Sequence, residues 1–269
     1  MIEQCPICAS AITSKFLDAG SFSLLQCAGC GLVAADGFSE NSAAYDGDEY
    51  FVEKNCYVEH WEEFCRHFDT LLDKISLFKK RGRFLDVGCG VGVLVSRALQ
   101  RGFAAQGVEI SPWASNFARV DKGLDVATGF LTDAAHKPAS FDVVVINHVL
   151  EHVPDPGELL RQARSILKDD GLLVVGVPNI GSIMARLAGS RWASLRPEEH
   201  RWHFAPHSIR ALVKKEGFRV LRFEARENHP VVGWSLRAMA RRLVNCIAVA
   251  TNQGEAMLVF ATKSAEGPL

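Results

Sequence analysis

From residue 83 onward the chain alternates strand-like with helix-like stretches, and a glycine-rich turn, Asp86-Val-Gly-Cys-Gly-Val-Gly92, follows the first strand. That alternation leaves few architectures open. Parallel strands need long crossovers, the crossovers are helices, and the helices then cover both faces of one sheet. Residues 83–87 read as a strand, 92–101 as a helix and 104–110 as a second strand. Ser111-Pro112 supplies an N-cap and first helical residue for a helix over 112–120. A short strand at 124–128 and a buried strand at 141–146 follow. Pro156 opens a helix to about residue 167, and Lys168-Asp-Asp-Gly171 turns into a strand at 172–177. A helix over 207–216 stops at Gly217, and strands at 218–225 and 256–263 close the set. Ahead of this core, Trp61, Phe64, Phe68, Leu71, Leu72, Ile75 and Phe78 recur at helical spacing, which predicts a lead-in helix within 56–80.

The first 35 residues carry a different signal. Cys5-Pro-Ile-Cys8 and Cys27-Ala-Gly-Cys30 are two CxxC knuckles separated by 18 residues. Four thiolates at this spacing suit tetrahedral zinc and leave no open position, so the metal is expected to be structural. A rubredoxin-type iron centre is the chemical alternative. So short a lobe buries little apolar surface and needs the ion to fold. Gly29 and Gly31 allow the tight turn of the second knuckle. The expected organisation is a zinc lobe at 1–35, a lid or linker with the lead-in helix at 36–80, and the main domain at 81–269. The linker holds Tyr45, Tyr50 and Phe51.

Composition removes some function classes. The net charge of −1 offers no global attraction to nucleic acid or an anionic membrane. No apolar run reaches spanning length, and the first residues lack the pattern of a secretion signal. Cys56, Cys65, Cys89 and Cys246 are scattered, so a reducing cytoplasm is expected rather than a disulfide scaffold.

The glycine turn belongs at the carboxyl end of a strand, where open α/β sheets bind ligands. Glu109 lies 21 residues after Gly88, a spacing suited to two ribose hydroxyls. The glycines run GxGxG, and Val93 takes the place of the third glycine of a dinucleotide fingerprint. Asp86 stands two residues before the first glycine, where it would repel a pyrophosphate and attract an amine-bearing cation. In this set of features the chain resembles the class I S-adenosylmethionine-dependent methyltransferases. Asp86–Gly92, Glu109, the run from Phe141 to Val153 and the run from Leu167 to Asn179 carry the likeness, over roughly residues 80–225. The resemblance implies an α/β, Rossmann-like, seven-stranded sheet with a small N-terminal zinc-binding lobe. It implies S-adenosylmethionine as cofactor, with Asp86 near the methionine amine and Gly88, Gly90 and Gly92 along the methionine and ribose. Glu109 would bind ribose, Asn147 would line the methionine side, and Phe130 with Leu131 would flank the adenine.

A four-cysteine lobe ahead of such a domain is similar to the layout of sugar C-methyltransferases, although their further C-terminal domain has no counterpart here. That resemblance implies a small-molecule acceptor, a sugar or nucleotide-linked glycan precursor. It also makes Glu199 and His200 the expected base pair, with Pro197 replacing the family's tyrosine. His148, after the strand at 141–146, is the competing base. His152 and Glu151 read as anchors of that turn, and His207 as a flank of the following helix. A metal site among the histidines lacks an acidic cluster to complete it. Trp192, Trp202 and Trp234 are candidates for an apolar acceptor pocket or for core, and the basic stretch 237–242 for a phosphate contact or a solvated face. Rival readings are a zinc-lobed RNA methyltransferase, a scaffold that binds cofactor without turnover and, less well matched, a nicotinamide oxidoreductase.

Overall fold

The computed structural model describes residues 4–38, 47–134, 136–227, 236–265 and Gly267; Tyr45, Trp234 and the side chain of Arg237 lie outside them. In chain order the strands are β1 (Ile12–Ala19), β2 (Phe22–Cys27), β3 (Val33–Asp36), β4 (Arg83–Val87), β5 (Ala104–Glu109), β6 (Val126–Thr128), β7 (Phe141–Asn147), β8 (Leu167–Pro178), β9 (Trp202–His203), β10 (Phe218–Arg226) and β11 (Ala256–Lys263). The helices are α1 (Trp61–Ile75), α2 (Val93–Gln100), α3 (Pro112–Val120), α4 (Pro156–Ile166), α5 (Ile183–Ala188), α6 (Pro206–Lys215) and α7 (Leu236–Ala250). Seven strands pair in the order β10-β11-β8-β7-β4-β5-β6, and β1-β2-β3-β9 form a separate antiparallel sheet. Contacts divide the chain into two compact units, one of residues 40–147 and 161–174, the other of 1–39, 148–160 and 175–269.

The first of these units holds the parallel strands β4, β5, β6 and β7. Phe141 and Val143 to Ile146 are fully buried, as expected of a parallel strand covered on both faces. Strand order reverses at β4, which pairs with β5 on one side and β7 on the other. Helix α1 is fastened to α2 by a two-pronged Arg97–Asp69 pair (3.0 and 2.8 Å) and by Arg101–Asp73 (2.6 Å). The cap of α3 is as its sequence predicts, with Ser111 Oγ accepting from the Ala114 N–H at 3.1 Å. The predicted Lys168–Gly171 turn is instead the extended start of β8. Side chains hold it straight: Lys168 Nζ donates to both Asp142 oxygens at 2.9 Å, and Asp170 accepts from Lys79 at 2.7 Å.

In the other unit the four-stranded sheet carries the cysteine knuckles. Its fourth strand, β9, comes from far along the chain: Val33 pairs with His203 and Ala34 with Trp202. Sequence reading did not find this strand, because two residues carry no periodicity. Trp192, buried among Leu24, Val33 and Leu195, is core and donates from Nε1 to Glu255 at 3.0 Å. Trp202 is also buried, and its Nε1 donates to the Val153 carbonyl at 2.8 Å. Helix α6 ends at Gly217, whose φ of +78° is the left-handed stop its sequence predicts.

Candidate active site and cysteine site

The turn after β4 is shaped by its neighbours. The N–H groups of Gly88 and Cys89 both donate to the Val108 carbonyl, at 2.8 and 3.2 Å, which folds the turn back onto β5. Gly92 has φ +86°, and a Cβ there would sit 2.5 Å from Leu124 Cδ1, so only glycine fits. Glu109 is buried at the end of β5. Its Oε2 accepts from the Gly90 N–H at 2.7 Å and its Oε1 from the Ser111 N–H at 2.9 Å. The carboxylate therefore clasps the glycine turn and the start of α3 together. Asp86 is buried nearby, and burial, with the Glu109 charge second, holds its carboxyl well above the usual range. Burial also raises Glu109, against the Ser111 and Gly90 N–H groups that stabilise its anion.

Phe51 covers the turn, 3.4 Å from where a Cβ of Gly90 would lie, and stacks on Trp113 with centroids 6.0 Å apart. It belongs to a single π-helical turn, Tyr50–Lys54, within the stretch predicted as linker or lid. Leu131 is buried whereas Phe130 is exposed, its N–H held by Asp133 Oδ2 at 2.8 Å. Asn147 is the half-buried last residue of β7.

The candidate histidines lie in the unit of residues 1–39, 148–160 and 175–269, and His148 opens its second segment. This residue adopts φ +58°, and its N–H donates to the Gly176 carbonyl at 2.8 Å. Its Nδ1 lies 3.0 Å from Oε1 of Glu151, and the His148 side chain is 29% exposed while that of Glu151 is 1% exposed. Sequence reading made Glu151 only an anchor; its spacing three residues from His148 on one turn was the available signal. His200, the base expected from the resemblance, is buried. Its Nδ1 faces the Ser194 carbonyl at 3.0 Å, and burial followed by the neighbouring His152 pushes its imidazole well below the usual value. The Glu199 carboxylate receives Arg196 Nη1 at 3.3 Å, and the Glu199 carbonyl receives Nδ1 of His152 at 2.9 Å. His207, expected to flank the helix, is the second residue of α6, and its Nε2 occupies the space a Gly31 Cβ would take.

The four cysteines converge. Cys5 and Cys30 Sγ are 3.4 Å apart, as are Cys8 and Cys27 Sγ, and all four lie within 4.8 Å of one another. These distances exclude disulfides and suit a tetrahedron of thiolates around one ion. The Ile7 N–H points at Cys5 Sγ (3.4 Å), a contact that steadies a thiolate. Gly29 is required here, since a Cβ would meet Cys8 Sγ at 2.9 Å and Ser10 Oγ at 2.6 Å.

Comparison with known proteins agrees with this geometry. Residues 57–222 match the family model described as a methyltransferase domain. A ubiquinone biosynthesis O-methyltransferase of Stutzerimonas stutzeri is 34% identical over 105 residues, 37% of this chain and 44% of that relative. One from Caulobacter vibrioides is 32% identical over 149 residues, 49% of this chain and 57% of the relative. The chain thus spans less than two thirds of the length of these relatives. A Thermotoga maritima structure, described as a possible histamine N-methyltransferase, superposes with TM-score 0.58 at 23% identity, covering 81% of this chain and 98% of its own. The magnesium protoporphyrin IX methyltransferase of Synechocystis gives 0.54 at 18% identity, over 80% and 88%. These likenesses show the Rossmann-like methyltransferase fold.

Proposed function

The chain belongs to the methyltransferase-domain family, and from that premise we propose that it moves the methyl group of S-adenosylmethionine onto a hydroxyl of a small molecule. The observation that carries this reading is the buried Asp86–Glu109 pair around the glycine turn. Two acids side by side favour a ligand that brings positive charge to one and hydroxyl donors to the other. Bound S-adenosylmethionine supplies both, together with an electrophilic methyl on a cationic sulfur. Glu109 holds the ribose and Asp86 the ammonium. Gly88, Gly90 and Gly92 let backbone approach, and Asn147, Phe130 and Leu131 border the remainder.

An acceptor hydroxyl must lose its proton during transfer. His148 is the residue we assign to that task, with Glu151 fixing its tautomer through Nδ1. His200 and Glu199 are the weaker candidates, because the His200 ring is buried and the Glu199 carboxylate is paired with Arg196. Relatives named for ubiquinone O-methylation favour oxygen as the methylated atom. The sugar or glycan acceptor has the four-cysteine lobe as its only support. We assign zinc to Cys5, Cys8, Cys27 and Cys30 as a structural ion, and a reducing, cytoplasmic setting to thiolates of this kind.

The test is release of S-adenosylhomocysteine with a panel of phenols and catechols beside nucleotide sugars. Turnover on the phenolic compounds, lost in His148→Ala with cofactor affinity retained, is the expected result. Turnover confined to nucleotide sugars moves the acceptor to the sugar class. Cofactor binding without turnover on any acceptor favours the inactive scaffold.

A further inference from the structure

Glu151 has a second oxygen that the His148 contact does not use. Oε2 is sealed from solvent with no hydrogen-bond partner, on a residue that is fully buried. A carboxylate oxygen so placed is strongly unfavourable unless a cation meets it. Two imidazoles share a cluster with this carboxylate, the His152 and His200 rings standing edge to face with their centroids 4.8 Å apart. Nδ1 of His152 faces the Glu199 carbonyl at 2.9 Å, and Nδ1 of His200 faces the Ser194 carbonyl at 3.0 Å. A carbonyl only accepts, so each Nδ1 carries a proton, and in the neutral ring the lone pair is then on Nε2. One ligand atom from each of Glu151, His152 and His200 lies within 4.8 Å of the other two. In these neutral tautomers with Glu151 ionised, the cluster brings together electron-pair donors. Such a group repels itself when empty and is stabilised by a cation.

We propose that Glu151, His152 and His200 bind one divalent transition ion of the zinc, manganese or iron class, separate from the four-cysteine site. Two imidazole nitrogens and one carboxylate oxygen are the donor set such ions accept. The carbonyls that hold both Nδ1–H groups supply the outer-shell orientation that metal-ligating histidines require. The donors come from the turn after β7 and from the segment before β9, both within one compact unit, so the ion would tie the two together. It would also fix Glu151 with Oε1 turned to His148, which makes the ion a positioning element. The inference stands on this cluster alone and needs neither S-adenosylmethionine nor an acceptor.

Manganese distinguishes the two sites, since it favours nitrogen and oxygen ligands over thiolates. The full chain, purified with zinc and passed over chelating resin to remove loosely held ions, is titrated with Mn2+. Loss of the free-ion electron paramagnetic resonance signal is the readout. One Mn2+ per chain is expected. His152→Asn, Glu151→Gln and His200→Asn should each weaken binding by at least ~100-fold. Circular dichroism of each variant without added metal separates lost ligation from lost fold; the half-buried His152 is the position best able to tolerate change. Cobalt gives a second readout: visible bands without the near-ultraviolet thiolate charge transfer. Absence of Mn2+ and Co2+ binding to the folded chain at millimolar metal overturns the proposal. So does binding of undiminished strength in folded His152→Asn.

Discussion

Asp86 and Glu109 are two buried acids with different partners. Glu109 is already engaged by two backbone N–H groups, whereas burial and the Glu109 charge keep a proton on Asp86 to a higher pH than usual. A cationic ligand stabilises the Asp86 anion, so binding should expel that proton. The sign follows: the raised value belongs to the empty protein, so affinity for S-adenosylmethionine should rise with pH until Asp86 ionises unaided. Calorimetry below neutral pH in buffers of different ionisation enthalpy should detect proton release, and Asp86→Asn should abolish it. Glu109→Ala should weaken cofactor binding by ~10–100-fold, since charge-assisted hydrogen bonds contribute about 1.5–3 kcal/mol. Unchanged affinity in that variant would remove the cofactor assignment. The acid and the glycines were legible in the sequence because their spacing is fixed by one strand–turn–helix unit. The pairing of His148 with Glu151 was not assigned, because a three-residue spacing on a non-helical turn does not by itself fix which side chains meet.

At the scale of elements, the knuckles depend on contacts that their spacing does not reveal. Gly31 has φ +68°, and a Cβ there would collide with His207 Nε2. Gly31→Ala should therefore destabilise the lobe by about 1–2 kcal/mol from backbone strain alone, read as a lowered melting temperature. Cys5→Ser or Cys27→Ser should remove the bound zinc and cost more stability than Gly31→Ala, because a structural ion's binding energy is folding energy. A zinc-free protein with the melting temperature of the zinc-loaded one would refute the structural role. Most helices and strands from residue 83 onward fall within a residue or two of where periodicity and capping residues put them. The exceptions have local causes. The start of β8 is straightened by Lys168 and Asp170 side-chain bonds, which outweigh its turn-like sequence. Strand β9 exists because β3 offers it an edge, with the Arg201 carbonyl accepting from Ala35 N–H at 3.0 Å, and an edge is a tertiary fact.

At the scale of the whole molecule, a mostly parallel, seven-stranded sheet was legible because the resemblance and the alternation point to the same architecture, whereas the strand order β7-β4-β5-β6 comes from the structure. The union of β9 with the cysteine lobe was not, because its partners are more than 160 residues apart in the chain. Whole-chain charge bears on the RNA alternative. The chain has 30 basic and 31 acidic residues. An RNA-modifying enzyme gains most of its affinity by releasing counterions from phosphates, and needs a basic face to do so. Helix α7 carries arginines, yet Arg241 lies 3.8 Å from the buried Glu255 carboxylate, which offsets its charge. The chain should therefore elute from heparin by about 0.15 M salt, where exposed charges are screened beyond ~8 Å. Its turnover on a small acceptor should change little with ionic strength over the same range. Retention on heparin well above that salt, with a steep dependence on salt concentration, would count against a small-molecule acceptor and for RNA.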